Sequence, residues 1–444
     1  MVSGRLSRRW MLGSLGGAGL AGGSLGLLAR AAPAAAREAV DEAYERGLEL
    51  LRRIEAEEAD AVLKELTGLS PDFARLHVEH AYGEVLSRPG LDLRHRELIA
   101  ISALLAAGSV QSHVKRHMSD FLSVGGRPQE LVELLYVAMV TIGFPVPINA
   151  ISIVRQVFKD RGLSFVPTAA ATDDGTDRYQ RGLAALAALG VSRPERMTGP
   201  IADVAPELAR WSVEFMYGEI LSRDGLDAKS RQIAIVAMLA TAGNRPDALR
   251  FHVDAGLKVG LSAAEIGEIL LQLTLYAGLP AVQNALIVAS GAFKDHAAGV
   301  ARPVPAAAPV PVPSAVENRE VRMTRAVATM SKTSSASGQA VVHSFDDVAP
   351  DMGRLILEHA YGDIFSRTGI ESRIRELTSV AATAAIGSKT QETPLRVHTN
   401  AALNAGATRE EVIETLLNLT PYCGYPLIQQ AMRIVGEEFA KRPA

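Results

Sequence analysis

"EHAYGEVLSRPGLDLRHRELIAISALLAAG" occupies Glu79–Gly108, and the chain carries it in two further versions. "EFMYGEILSRDGLDAKSRQIAIVAMLATAG" spans Glu214–Gly243, and "EHAYGDIFSRTGIESRIRELTSVAATAAIG" spans Glu358–Gly387. Self-similarity of this kind marks one supersecondary unit used repeatedly. Past its first turn, "RHRELIAISALLAAG" is nearly all apolar, which predicts a buried central helix. The Gly at its end is a common residue just past a helix C-terminus. Ahead of it, "PDFARLHVEHAYGEVLS" has apolar positions at helical spacing and ends near Pro89-Gly90.

The repeat continues downstream. "RHMSDFLSVGGRPQELVELLYVAMVTIGFP" (Arg116–Pro145), "RFHVDAGLKVGLSAAEIGEILLQLTLYAGLP" (Arg250–Pro280) and "RVHTNAALNAGATREEVIETLLNLTPYCGYP" (Arg396–Pro426) share one order of features. A His is followed eight residues later by Gly125, Gly260 or Gly406, then by an acidic helix start, then by Gly-x-Pro. Ser262 and Thr408 are suited to cap those helices, with acidic residues in the first turn where the helix dipole favours them. Copies one and two stay in register even in their leaders, "YERGLELL" at Tyr44 and "YQRGLAAL" at Tyr179. Copy three has two extra residues between Gly387 and His398, and no recognisable leader. Strand alternation is absent throughout, so the fold class is all-α.

The chain of 444 residues divides accordingly. Residues 37–164 form the first unit, 165–176 a linker, 177–300 the second unit, 301–340 a Pro/Ala/Ser-rich linker and 341–444 the third unit. "ARPVPAAAPVPVPSAVENRE" is expected to be an extended, semi-rigid tether, and "SKTSSASGQ" after it mobile. Residues 1–36 contain paired Arg8 and Arg9, a short Gly-rich apolar run and an A-x-A site at Ala34-Ala35-Ala36. They resemble a bacterial twin-arginine signal peptide, which implies a periplasmic or extracellular protein with no stable membrane insertion after cleavage. A membrane anchor is the alternative reading of that segment. The composition is 48% hydrophobic with net charge −3, which offers no electrostatic pull toward nucleic acid. Cys423 is the only cysteine, so an intramolecular disulfide and a thiolate metal cluster are excluded.

The motifs "YGEVLSRPGLD", "RxRE", "HxxxxxxxG", "EExxE" and "YxGxP", in that order, resemble the carboxymuconolactone decarboxylase family. The resemblance covers almost all of the mature chain except the linkers. It implies three tandem helical units of the alkylhydroperoxidase D-like fold. It also implies six-membered rings of single-unit subunits, so three fused units predict a homodimer forming a pseudo-hexamer. The thiol-dependent branch of that fold would place cysteines seven and four residues before the histidine. Those positions hold Val110 and His113, Arg245 and Ala248, then Gln391 and Pro394. A thiol peroxidase needs an attacking and a resolving thiol, so that activity is rejected.

The candidate chemistry lies in polar residues that recur. His117, His252 and His398 each follow an Arg by two residues or fewer and open a mostly apolar helix. They read as structural histidines or as acid–base groups, and the resemblance implies the second. Glu97 and Glu376 head the central helices of copies one and three, where a Glu–His pair shielded from water could titrate near neutrality. Helix-dipole pairing is the bland reading of both. Copy two has Gln232 there, which can hold a His but not titrate. Arg96, Arg231 and Arg375, with Arg88, Arg223 and Arg367, offer fork-shaped donors to a substrate carboxylate. Alternatively they pair with Glu79, Glu214 or Glu358, or with a neighbouring unit. Tyr276 and Tyr422 precede the Gly-x-Pro break, where copy one has Thr141.

Two function classes follow. One is a cofactor-free, metal-free carboxy-lyase or isomerase acting on a small lactone or carboxylate, resembling 4-carboxymuconolactone decarboxylase. The other is a non-catalytic helical binding or scaffold protein with degenerate repeats, a reading favoured by Gln232, Thr141 and the insertion in copy three.

Overall fold

A computed structural model describes residues 42–55, 57–167, 177–191, 202, 204–299, 319–387 and 392–442. The signal-like segment, most of the first linker and residues 300–318 lie outside the described residues. Those described form helices and no strand, arranged as three copies of one helical unit.

Each unit is built the same way. A leader helix (42–55, Arg178–Ala188 or Arg319–Lys332) crosses a helix that continues as a π-helical stretch (His77–Leu86, Ser212–Ile220 or Ile356–Phe365). Glycine permits that crossing. A Cβ on Gly83 would lie 1.9 Å from the carbonyl oxygen of Ala43, and one on Gly218 would lie 2.0 Å from that of Arg178. Next comes the central helix (Leu93–Ala107, Ala228–Ala242 or Ser372–Ile386). Asp92 and Asp227 cap the first two through the amides of His95 and Ser230. Gly108 and Gly243 end them in the left-handed conformation, as their position predicts.

The histidine helix follows (Gln111–Ser123, Pro246–Lys258 or Glu392–Asn404) and stops at Gly125, Gly260 or Gly406, all at positive φ. The acidic-start helix comes next (Pro128–Ile142, Ala263–Gln272 or Arg409–Asn418). Ser262 with Glu265 and Thr408 with Glu411 form capping boxes at its start. One ion pair ties the central helix to this start in every unit: Arg94–Glu130 at 2.5 Å, Lys229–Glu265 at 2.7 Å, and Arg373–Glu411. After Gly-x-Pro, a closing helix ends the unit.

The second linker is shorter than the sequence reading of 301–340. Arg319–Lys332 and Ser335–His343 are helical, so the stretch expected to be mobile is ordered. Arg319–Lys332 is the missing third leader. Arg46, Arg181 and Arg325 each donate to the carbonyl of the π-stretch glycine, at 3.5, 3.1 and 2.6 Å. Met323 and Ala326 replace the Tyr and Gly of the other leaders, which hides the equivalence from a self-comparison.

Units one and two pair face to face about a pseudo-two-fold axis. At the axis His95 Nε2 lies 3.1 Å from Ser230 Oγ, and the central helices pack across it. One apolar core runs through both units into the first half of unit three. The second half of unit three closes a separate, smaller core around Val380, Leu395, Val412, Leu416 and Ile434.

Candidate functional site

The first turn of the central helix and the middle of the histidine helix face each other in every unit. In unit one, Glu97 Oε2 lies 2.7 Å from His117 Nδ1, both residues buried. In unit three, Glu376 Oε2 lies 2.8 Å from His398 Nδ1. In unit two, Gln232 Oε1 lies 2.8 Å from His252 Nδ1. A carboxylate accepting at Nδ1 fixes the tautomer and leaves Nε2 as the atom that can exchange a proton. Burial lowers the His252 pKa to about 3, and Gln232 supplies no charge to oppose that. His252 is therefore a neutral imidazole across the physiological range.

Unit one is the most elaborated of the three sites. Tyr276, from unit two, reaches across the pseudo-two-fold and sets its ring edge-on to His117, with centroids 5.8 Å apart. Burial and the charge of Glu97 push its phenol up, so it remains an O–H donor. Tyr82 donates to Glu55 at 2.5 Å, and Glu55 lies 3.5 Å from Arg116. Arg116 is mostly buried, and its Nε has no hydrogen-bond partner among the described residues. His77 and His113 border the same region, and burial together with the Arg116 charge holds the pKa of both down. Glu97, His117 and Asp120 each present one donor atom within 4.8 Å of the others, the composition of a small cation site. The counterparts of Asp120 are Ala255 and Ala401, so this cluster is confined to unit one.

A family model described as the carboxymuconolactone decarboxylase family matches residues 71–156, 206–291 and 350–437, more than half of the chain. The chain belongs to the carboxymuconolactone decarboxylase family. The 4-carboxymuconolactone decarboxylase of Acinetobacter baylyi is 34% identical over 119 residues, which are 27% of this chain and 88% of that protein. A nitrosuccinic acid decarboxylase of Metarhizium robertsii is 36% identical over 78 residues, 18% of this chain and 52% of that protein. A solved chain from Burkholderia xenovorans, described as a gamma-carboxymuconolactone decarboxylase subunit, is 25% identical. It aligns with a TM-score of 0.36 over 57% of this chain and 96% of its own length. Two of these relatives are named as decarboxylases of different acids, and the chain is a carboxymuconolactone decarboxylase-like protein.

In this family member the repeated arginines are occupied elsewhere. Arg88 and Arg96 pair with Glu268 of unit two at 2.6 and 3.1 Å, and Arg96 also donates to Gln272 at 3.2 Å. Arg223 pairs reciprocally with Glu133 of unit one at 2.8 Å and with Asp351 of unit three at 2.9 Å. Arg231 donates to the carbonyls of Leu221 and Leu226, and Arg375 to that of Arg367. Arg367 pairs with Glu207 of unit two at 3.2 Å. The contacts of Arg88, Arg96, Arg223 and Arg367 are the neighbouring-unit alternative, whereas Arg231 and Arg375 bond carbonyls of their own unit. Tyr422 stands 83% exposed, and His398 has Phe365 edge-on at 5.9 Å instead.

Sequence reasoning missed Arg116, Glu55 and Tyr82 as neighbours of the pair. The tyrosine was visible, since it belongs to the repeated Tyr-Gly motif. Arg116 was hidden because the equivalent residues are Phe251 and Val397. Repetition draws the eye to what all copies share, and this charge belongs to one.

Proposed function

We propose that unit one is a cofactor-free carboxy-lyase site for a small unsaturated lactone bearing a carboxylate, with 4-carboxymuconolactone as the first substrate to try. The observation that carries this reading is the buried Glu97–His117 pair with Arg116 beside it and Tyr276 over the ring. Arg116 holds the substrate carboxylate before it leaves. As carbon dioxide departs, the bonding electron pair passes into the conjugated lactone carbonyl and forms a dienolate. Tyr276 O–H is a neutral donor suited to that developing charge. His117, protonated at both nitrogens and steadied by the Glu97 carboxylate, gives the Nε2 proton to carbon. A proton from solvent then replaces the one that the product carries away, so the reaction consumes one proton for each carbon dioxide released.

Unit two carries Gln232 and a His252 that resists protonation, which supports a scaffolding part for it. Its Tyr276 serves the neighbouring site. The Arg8-Arg9 leader supports export of the folded protein by the twin-arginine route, and fractionation of expressing cells with a twin-lysine control tests that. The activity is tested by incubating the purified chain with 4-carboxymuconolactone and following substrate absorbance and carbon dioxide. Turnover that vanishes in His117→Ala with unchanged circular dichroism supports the reading. Absence of turnover in the folded wild type removes this substrate from it.

A further inference from the structure

Unit three keeps the glutamate–histidine pair of unit one and exchanges the charges around it. Glu376 Oε2 lies 2.8 Å from His398 Nδ1, as Glu97 Oε2 lies 2.7 Å from His117 Nδ1. On the histidine helix, the places held by His113, Arg116 and Asp120 in unit one are held by Pro394, Val397 and Ala401 in unit three. The tyrosine of the Tyr-Gly motif changes its company in the same sense. Tyr82 donates to the Glu55 carboxylate at 2.5 Å, whereas its counterpart Tyr361 shares a hydrogen bond of 2.6 Å with the Ser334 hydroxyl. The charges acting on Tyr82 are those of Glu55, Arg116 and Glu97, and the charge acting on Tyr361 is that of Glu376.

The rings differ too. Phe365 stands edge-on to His398 at 5.9 Å, where His117 has the phenol of Tyr276. Arg375, next to Glu376 in the chain, donates to the carbonyl of Arg367. His398 is the more open of the two histidines, its side chain 18% exposed against 8% for His117. An anion entering beside His398 would meet the Glu376 carboxylate without the arginine that unit one supplies, and would lose its hydration with nothing to replace it. An uncharged molecule meets neither penalty.

We infer that unit three is a second site, which takes a small uncharged unsaturated lactone or ketone and moves a proton between two of its carbons. Glu376 accepts the Nδ1 proton of His398, so Nε2 carries the free electron pair. Nε2 takes a proton from the carbon beside the carbonyl, and the C–H electron pair passes to the carbonyl oxygen as a dienolate. The imidazolium, steadied by the Glu376 carboxylate, returns that proton at the far end of the double bond. The double bond moves into conjugation, and no atom is gained or lost. No carboxylate departs in this reaction, so no cation is needed to hold one.

The full chain is tested with α-angelica lactone, an uncharged lactone whose double bond lies out of conjugation, in deuterated buffer under proton NMR. Wild type is expected to form the conjugated isomer, with deuterium uptake, at least about tenfold faster than the buffer blank. His398→Gln is expected to return the rate to the blank, although its amide can still donate to Glu376. Glu376→Gln copies the hydrogen bond by which Gln232 holds His252, and takes the counter-charge from the imidazolium. It is expected to slow the reaction by about tenfold or more with circular dichroism unchanged. Saturated γ-valerolactone is expected to compete with the probe, and its ring-opened 4-hydroxyvalerate anion is not. A wild-type rate no faster than the blank, a rate that survives both variants, or one lost in His117→Ala instead, overturns the assignment to unit three. Equal competition by lactone and anion overturns the preference for uncharged molecules. None of these readouts uses 4-carboxymuconolactone or released carbon dioxide, so they fail separately from the decarboxylase reading, which lends only the acid–base role of a glutamate–histidine pair.

Discussion

Units one and two share a backbone, a buried histidine and a hydrogen bond at Nδ1, yet one histidine faces a carboxylate and the other an amide. The difference lies in a few side chains. Glu97 is Gln232 in unit two, the counterpart of Tyr276 in the repeat is Thr141, and Arg116 is Phe251. In unit two the histidine keeps its packing and its hydrogen bond, and burial alone decides its charge. Duplication therefore preserves the geometry that folding needs, while the carboxylate, tyrosine and arginine neighbours differ between the units.

The sharpest way to break the comparison is to remove each ring. His117→Ala is expected to lower turnover of 4-carboxymuconolactone by about 10²–10⁴-fold, the usual range for losing a positioned acid–base group. His252→Ala is expected to leave turnover within about twofold of wild type. Steady-state kinetics on both variants check this, and equal losses would show that the two sites are not distinct in function.

The two units are held in relation by ion pairs of unequal burial. Arg223 lies sealed between Glu133, Asp351 and the ring of Tyr136, 4.0 Å away. Arg223→Ala removes the cation that Glu133 and Asp351 share, leaving Glu133 to Gln129 and Asp351 to Arg354, and is expected to cost about 3–5 kcal/mol in urea unfolding. Its pseudo-symmetric counterpart Arg88 is solvent-exposed, and Arg88→Ala is expected to move the midpoint much less.

His252 also makes unit two sensitive to acid. Its folded pKa is depressed to about 3, below its unfolded value. Between the two values the unfolded chain binds the extra proton, so stability falls as pH falls. From neutrality to pH 5 the loss assigned to this ring is about 2 kcal/mol, or roughly one and a half pH units below an unfolded pKa near 6.5. His252→Gln is expected to be less stable at neutral pH but to lack this component of the slope, which paired urea titrations at the two pH values measure.

How much of this was written in the sequence depends on what repetition can reveal. The helices, their glycine stops and the capping boxes at Ser262 and Thr408 were legible because local chemistry dictates them. The proximity of glutamate and histidine was legible because both recur at matching places of the repeat in copies one and three, despite the two extra residues in copy three. The third leader was not, since Met323 and Ala326 pack where Tyr and Gly stand elsewhere and only Arg325 remains. The true partners of Arg88 and Arg223 were open too, because a carboxylate on another unit lies far away in the chain. Tyr276 was read as part of its own unit, whereas the pseudo-two-fold delivers it to the neighbour's histidine.

That crossing gives the finest test of how the two sites differ. Tyr276→Phe keeps the ring against His117 and removes only the hydroxyl. If the hydroxyl steadies the charge that develops on the substrate, the change forfeits one neutral hydrogen bond, about 0.5–1.5 kcal/mol, or at most about tenfold in kcat. Thr141→Val, which removes the hydroxyl at the place in the repeat that matches Tyr276, is expected to leave kcat unchanged. The size of the first effect separates two arrangements of the same atoms. A loss near tenfold keeps His117 as the proton donor with Tyr276 assisting. A loss as large as that of His117→Ala would make the tyrosine the donor and reduce the histidine to holding the ring in place.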